Sequence, residues 1–211
     1  MQSRDALLLA EFIIFLSLLL SAYYYAALPS KIVTHWGINR EPNGWMNRNA
    51  ILWFPVAYAV LVFIVWGLPF IDPLRRNVEK FRKVYDWFVV GLAVFLAVVQ
   101  VFVLGYNLGW FSDVTIPILI LVSVLMIGAG YIMYVSEPNW FVGFRTPWTL
   151  SSPEVWKRVN RAAGILFAAF GVAMLITAFI SAKFFMYLIL ALLAAIVVLW
   201  IWSYVLYQKL H

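Results

Sequence analysis

The sequence predicts an all-α membrane protein: a bundle of six transmembrane helices, two short basic amphipathic helices on the cytoplasmic side, and both termini in the cytoplasm. Three observations carry this. Of 211 residues, 65% are apolar and 11% charged, and the mean hydropathy is +0.94, far outside the soluble range. The apolar residues gather into stretches of about twenty, enough to cross a hydrocarbon core of roughly 30 Å as helices. The basic residues are shared unequally between alternate loops, as the positive-inside rule requires.

The spans read as 6–27, 50–71, 86–108, 114–135, 162–182 and 184–207. The first is too long, and too weakly followed by a small-residue cleavage site, to be a removed signal peptide. With both termini inside, eleven of the fifteen basic residues are cytoplasmic: Arg4, five from Arg75 to Lys83, four from Arg145 to Arg161, and Lys209. Lys31, Arg40, Arg48 and Lys183 remain outside. The net charge of +6 therefore reflects topology and anionic lipid, not nucleic-acid binding. The expectation is a multi-pass protein of the cell membrane, one integral domain over 1–211. Within it, 1–71 carries a long outer loop and 114–211 a long cytoplasmic one.

After the first span comes PSKIVTHWGINREPNGWMNRN, from Pro29 to Asn49. Pro42-Asn43-Gly44 signals a turn, because asparagine and glycine tolerate positive φ. Trp36, Trp45 and Met46 suggest a loop folded back onto the membrane interface. The candidate outer binding residues are His35, Trp36, Gly37, Asn39, Asn43, Gly44 and Trp45.

After the second span, Asp72-Pro73 reads as an N-cap with proline at the first helical position. Leu74, Val78, Phe81 and Tyr85 then recur at helical spacing, opposite Arg75, Arg76, Lys80, Arg82 and Lys83. That pattern describes a short helix suited to anionic lipid, or equally a solvated connector. The connection at 109–113 is minimal, as is that at 183, so spans three and four, and five and six, form tight hairpins. Before the fifth span, Ser151 to Glu154 resembles a capping box and Pro153 suits a first turn. Val155, Trp156, Val159, Ala162 and Ala163 follow on one arc and Lys157, Arg158 and Arg161 on the other, so this helix should run into span five.

Few polar residues lie within the spans. Glu11, Gln100 and Asn107 are the candidates, and an ionisable group at that depth usually faces the protein interior with a partner. Glu11 is then either a proton- or substrate-handling group or a packing contact near the cytoplasmic interface. Glycines 128, 130, 164 and 171 would let helices approach closely. Split three plus three, the halves insert with opposite orientation, and each opens on span, Trp/Gly/Pro/Asn-containing loop, span, as in inverted-repeat transporters.

Catalytic chemistry has little material. Cysteine is absent and only His35 and His211 are histidines, which removes thiol nucleophiles and makes a histidine-rich metal site improbable. No metalloprotease, nucleophile-elbow or phosphate-loop pattern occurs, and His35 with Glu41 is a weak pair. No enzymatic activity, metal or cofactor is expected.

The stretch PNWFVGFRTPWTL, Pro138 to Leu150, is what membrane insertion does not explain. Pro138, Asn139, Gly143, Arg145, Thr146, Pro147, Trp148 and Thr149 form the candidate cytoplasmic site. Arg145 has five donors for carboxylates, phosphates or helix carbonyls; the alternative is architectural, with Arg145 capping span four and Trp140 and Trp148 anchoring at the headgroups. Extended to PNWFVGFRTPWTLSSPEVWKRVNRAAG, the segment resembles the signature of the SdpI family. LPSKIVTHWGINREPNGW is similar to the short N-terminal domain that accompanies it, although Gly37, Asn39 and Arg40-Glu41 depart from the usual glycine and aspartate pattern there. The resemblance implies six spans and an immunity role against a secreted membrane-active peptide toxin. In some members it also implies retention of a cytoplasmic repressor. The partners expected are thus the lipid bilayer, a peptide toxin outside and a repressor or other protein inside. The alternative is a small-solute or proton-coupled transporter using Glu11, Gln100 and Asn107.

Overall fold

The computed structural model describes residues 3–37, 39–180 and 183–210. Among them are six helices long and apolar enough to cross a membrane: α1 (Ser3–Tyr24, extended by a 3-10 turn to Ala27), α2 (Ala50–Ile71), α4 (Arg82–Asn107), α5 (Thr115–Val135), α7 (Pro153–Ile180) and α8 (Lys183–Leu210). Their exposed faces carry large apolar side chains, such as Phe12, Phe63, Ile165 and Val198, as a lipid-facing surface requires. The protein is a multi-pass helical membrane protein of the cell membrane. The expected minimal connection at 183 falls at the first residue of α8, and residues 181–182 and His211 lie outside the described residues.

Two short helices, α3 (Arg75–Glu79) and α6 (Pro147–Ser151), and one antiparallel hairpin, β1 (Lys31–Trp36) with β2 (Pro42–Asn47), complete the fold. The hairpin was not foreseen. The pairing Ile32↔Met46 and Val33↔Trp45 is regular, and bulges follow on either side of His35. The expected turn at Pro42-Asn43-Gly44 is displaced into β2. Instead the chain reverses before Glu41, with Gly37 N donating to Glu41 O and Arg40 N to Gly37 O, both at 2.9 Å. The positive φ falls on Arg40 at 67°. Pro42 is tolerated because it opens its strand at an edge.

The chain gathers into two compact units, residues 1–66 with 89–121, and residues 67–88 with 122–211. In the first, Ile32, fully buried, packs the hairpin into a core of Leu28, Ala50, Ile51, Val103 and Leu104. Polar bonds reinforce it. The Asn107 side chain pairs with the Val33 peptide, accepting from its N–H at 2.7 Å and donating to its carbonyl at 2.9 Å. Asn107 thus takes the place of a neighbouring strand. Gln100, buried in α4, donates to Ser21 Oγ at 2.8 Å and Ile51 O at 2.7 Å. Replacing Asn107 with leucine strands both Val33 groups, which costs about 1–3 kcal/mol. Hydrogen exchange should quicken at Val33 and its pair Trp45, while amides in the middle of α4 keep their protection.

In the second unit α5 and α7 touch backbone to backbone. A methyl group added at Gly130 would lie 2.5 Å from Gly164 O, and one at Gly164 would lie 2.5 Å from Gly130 O, so both positions require glycine. Met133, Ala163 and Leu199 form one buried cluster, and Val155, Val159 and Leu206 another. The expected arc on α7 is confirmed: Val155, Trp156, Val159 and Ala163 are buried, while Lys157, Arg158 and Arg161 are exposed. As expected, α7 starts at Pro153 and runs unbroken into its span.

Four local expectations need correction. Asp72 is not a helix N-cap: α3 begins at Arg75, after a turn in which Leu74 N donates to Asp72 Oδ1 at 2.7 Å. Leu74, placed on the apolar arc, is exposed, whereas Val78, Phe81 and Tyr85 are buried. The capping box is not Ser151–Glu154. It lies upstream, where Thr146 and Thr149 exchange side-chain and backbone bonds across α6, and Ser152 Oγ receives Val155 N at the start of α7. Nor do the two long loops repeat one another. One is a hairpin and the other an irregular segment with a capped turn of helix, so their shared residue types are compositional.

Candidate functional site

The hairpin brings the outer candidates together locally. His35 Nδ1 lies 2.5 Å from Asn43 Oδ1, beside the cross-strand partner Gly44. Any side chain at Gly44 would meet His35 Cβ at 2.9 Å. Asn39 donates to Glu41 Oε2 at 2.6 Å, so Glu41 is engaged with Asn39 and His35 with Asn43. The weak His35–Glu41 pair is not formed. Trp36 is half-buried, edge-on to Tyr106 at 5.0 Å between ring centroids, while Trp45 and Met46 stand exposed, at 56% and 48%. Gly37 sits where an added methyl would strike Asn39 Oδ1 at 2.7 Å. Sequence reasoning missed Asp113, whose carboxylate lies 3.6 Å from Arg40.

The intramembrane polar residues do not converge. Gln100 spends its donor group on Ser21 and Ile51 and Asn107 on Val33 O and Val103 O, while Glu11 Oε1 and Gln100 Oε1 are buried with no hydrogen-bond partner among the described residues.

The 136–152 segment is held by side-chain amides and hydroxyls. Asn139 is fully buried. Its Oδ1 accepts from Phe141 N at 2.9 Å and Val142 N at 2.6 Å, and its Nδ2 donates to Glu137 O at 2.8 Å and Val142 O at 2.9 Å. This one side chain therefore satisfies four backbone groups of a loop with no ladder of its own. Gly143 follows at φ 111°, directly against Asn160, whose Oδ1 accepts from Phe144 N at 2.6 Å. Trp156, almost wholly buried, donates from Nε1 to Ser136 O at 2.9 Å.

The neighbouring α2–α3 turn grips the same segment. Asp72 Oδ2 accepts from Trp140 N at 2.9 Å, and Asn77 Nδ2 donates to Pro138 O at 2.9 Å. Thr146 Oγ1 lies 3.0 Å from Ser203 Oγ on α8. Trp148 packs edge-on against Trp200 and tilted against Tyr204, with centroids 4.9 and 5.0 Å away.

Arg145 departs from its architectural assignment. Its guanidinium donates to Trp140 O rather than to the end of α5, and both Arg145 and Trp140 are exposed. Trp148 is half-buried by its packing on α8. Sequence reasoning missed Asp72, Asn77, Asn160 and Ser203. Only Asn160 left a signal: it follows Trp156 by one turn on an otherwise apolar buried arc, where a polar side chain needs a partner.

The fold and the two built loops define a six-span helical membrane protein with a packed hairpin on one loop and a side-chain-locked motif on another. Its sequence resembles the SdpI family. Residues 135–204 match the SdpI/YfhL protein family and residues 12–59 match a domain of unknown function, DUF1648, so the matched regions take in the motif and the hairpin respectively. The chain is 27% identical over 200 residues to Immunity protein SdpI of Bacillus subtilis (strain 168), covering 94% of each chain. No solved structure matches.

Proposed function

We propose that the protein is a receptor-like membrane immunity protein, protecting its cell from a secreted membrane-active peptide toxin, and not an enzyme. The observation that carries this reading is the alignment with Immunity protein SdpI across 94% of both chains, loops and spans together. The charge bias puts the hairpin outside and the 136–152 motif in the cytoplasm. Exposed Trp45 and Met46, beside His35, give the hairpin an aromatic and apolar edge that suits an amphipathic peptide at the interface. On the inner side, Trp140 and Arg145 are exposed side chains of the motif with hydrogen-bonding groups to offer, and they are the groups we assign to a cytoplasmic regulator.

Two measurements test this. The chain has no cysteine, and Ser30 and Ser151 are exposed, unlike buried Ser152. In whole cells, a membrane-impermeant thiol reagent should label the Ser30→Cys protein and spare Ser151→Cys; the reverse pattern overturns the orientation. Second, the chain is placed in a Bacillus subtilis strain deprived of its Immunity protein SdpI. Growth should return in medium conditioned by the parent strain, and growth arrest despite normal membrane abundance would refute the immunity reading.

A further inference from the structure

A cleft of about 130 Å³ lies where α5 ends and α7 begins, lined by Tyr134, Ser136, Glu137, Trp156, Lys157 and Arg161. Water needs about 10–15 Å³ on this measure, so the cleft has room for a small polar headgroup. Its floor is rigid, because Trp156 Nε1 is bound to Ser136 O and Ser136 Oγ to Met133 O. Lys157 and Arg161 stand one turn apart on α7, and Arg161 is held over the Tyr134 ring at 5.5 Å. Both cations are exposed, as is Glu137, which lines the same cleft just past the end of α5. None of the three takes part in an ion pair among the described residues, where the pairs are Arg40–Asp113, Arg82–Asp86 and Arg158–Glu154.

The cleft thus presents two positive groups and one negative group, none of them in an ion pair among the described residues. The surface that continues from it along both helices is apolar: Tyr131, three residues before Tyr134, is 57% exposed, and Ile165, four after Arg161, is 62% exposed. Tyrosine at this level marks the membrane–water interface. A ligand that fills the cleft and covers this surface has a phosphate, a nearby ammonium and an acyl chain.

We propose that the cleft binds the headgroup of an aminophospholipid, phosphatidylethanolamine in type, with Lys157 and Arg161 on the phosphate and Glu137 on the ammonium. Arginine suits the phosphate because its fork donates two parallel bonds. Phosphatidylglycerol would satisfy the cations but leave Glu137 facing a hydroxyl, and phosphatidylcholine offers a quaternary nitrogen with no N–H to donate.

The test uses the full chain purified in mild detergent and exchanged with vesicles of equal phosphatidylethanolamine, phosphatidylglycerol and phosphatidylcholine content, with bound lipid counted by native mass spectrometry. Phosphatidylethanolamine should be the retained species. The Lys157→Gln/Arg161→Gln variant should retain about tenfold less, and Lys157→Arg/Arg161→Lys should restore it, which separates loss of charge from loss of fold. Glu137→Gln should shift retention toward phosphatidylglycerol. Unchanged retention in the double variant, or phosphatidylglycerol preferred by the unaltered chain, overturns the proposal. Displacement of the lipid by equimolar soluble glycerophosphoethanolamine also overturns it, assigning the cleft to a soluble phosphate ester instead.

Discussion

Gly143→Ala should be among the most damaging single substitutions in the chain. Gly143 adopts φ 111°, which L side chains rarely reach, and that strain alone costs about 1–3 kcal/mol. The added methyl would also lie 2.5 Å from Asn160 Oδ1 and 3.1 Å from Trp156 Cζ2. Neither can retreat cheaply, since Asn160 holds the Phe144 peptide and Trp156 holds Ser136 O. Overpacking of this kind adds about 1–3 kcal/mol. Gly109 makes the control. It too has positive φ, at 77°, but a methyl there meets nothing within 4 Å, so Gly109→Ala should cost about 1–2 kcal/mol. Thermal unfolding in detergent should therefore rank Gly143→Ala well below Gly109→Ala. Equal midpoints would mean that the 136–152 segment is not held against α7 as described.

Asn139→Ala should rival it by a different mechanism. The substitution leaves Phe141 N–H, Val142 N–H, Glu137 C=O and Val142 C=O without their partner, at about 1–3 kcal/mol for each group that water cannot reach. Some of the loop will rehydrate, so a loss of about 3 kcal/mol is the expected scale. Arg145→Ala should cost under about 1 kcal/mol, because its one bond to Trp140 O is at the surface. The difference has a use. Asn139 reports on architecture, whereas a defect in Arg145→Ala at full stability would report on a partner.

The helical frame was readable because its signal is collective. About twenty apolar residues in a row admit few readings, and the six helices fall close to the expected spans. The hairpin was harder. Ile32, Val33 and Thr34 carry the β-branched character of a strand, yet the tryptophans and the Pro42-Asn43-Gly44 sequence drew the eye to an interface loop and the wrong turn. Arginine at the positive-φ position is a choice that local propensity does not favour. The decoy at Ser151–Glu154 matched the capping pattern by spacing, whereas the pair formed, Thr146 with Thr149, lacks the usual glutamate or glutamine at the third position.

At the candidate site, sequence identified the motif but not what holds it. Asp72 and Asn77 reach Trp140 and Pro138 from more than sixty residues away in sequence, and no local periodicity encodes such a partner. The same holds for Ser203 beneath Thr146. Part of the motif turns out to be internal: Asn139, Thr146 and Thr149 are buried and bonded. Of its residues, Trp140 and Arg145 are the ones left facing outward with chemistry to offer.

The central claim, that the exposed hairpin edge meets a peptide toxin and that the protein thereby protects the cell, is tested most directly by survival. A Bacillus subtilis strain without its Immunity protein SdpI would carry the unaltered chain, the His35→Ala/Trp45→Ala chain, or neither, at matched membrane abundance. Growth would be measured in medium conditioned by the parent strain. Growth with the unaltered chain, and loss of that growth with the double variant, is the predicted result. Equal growth with both chains would contradict the hairpin's role, and growth with neither would contradict protection itself.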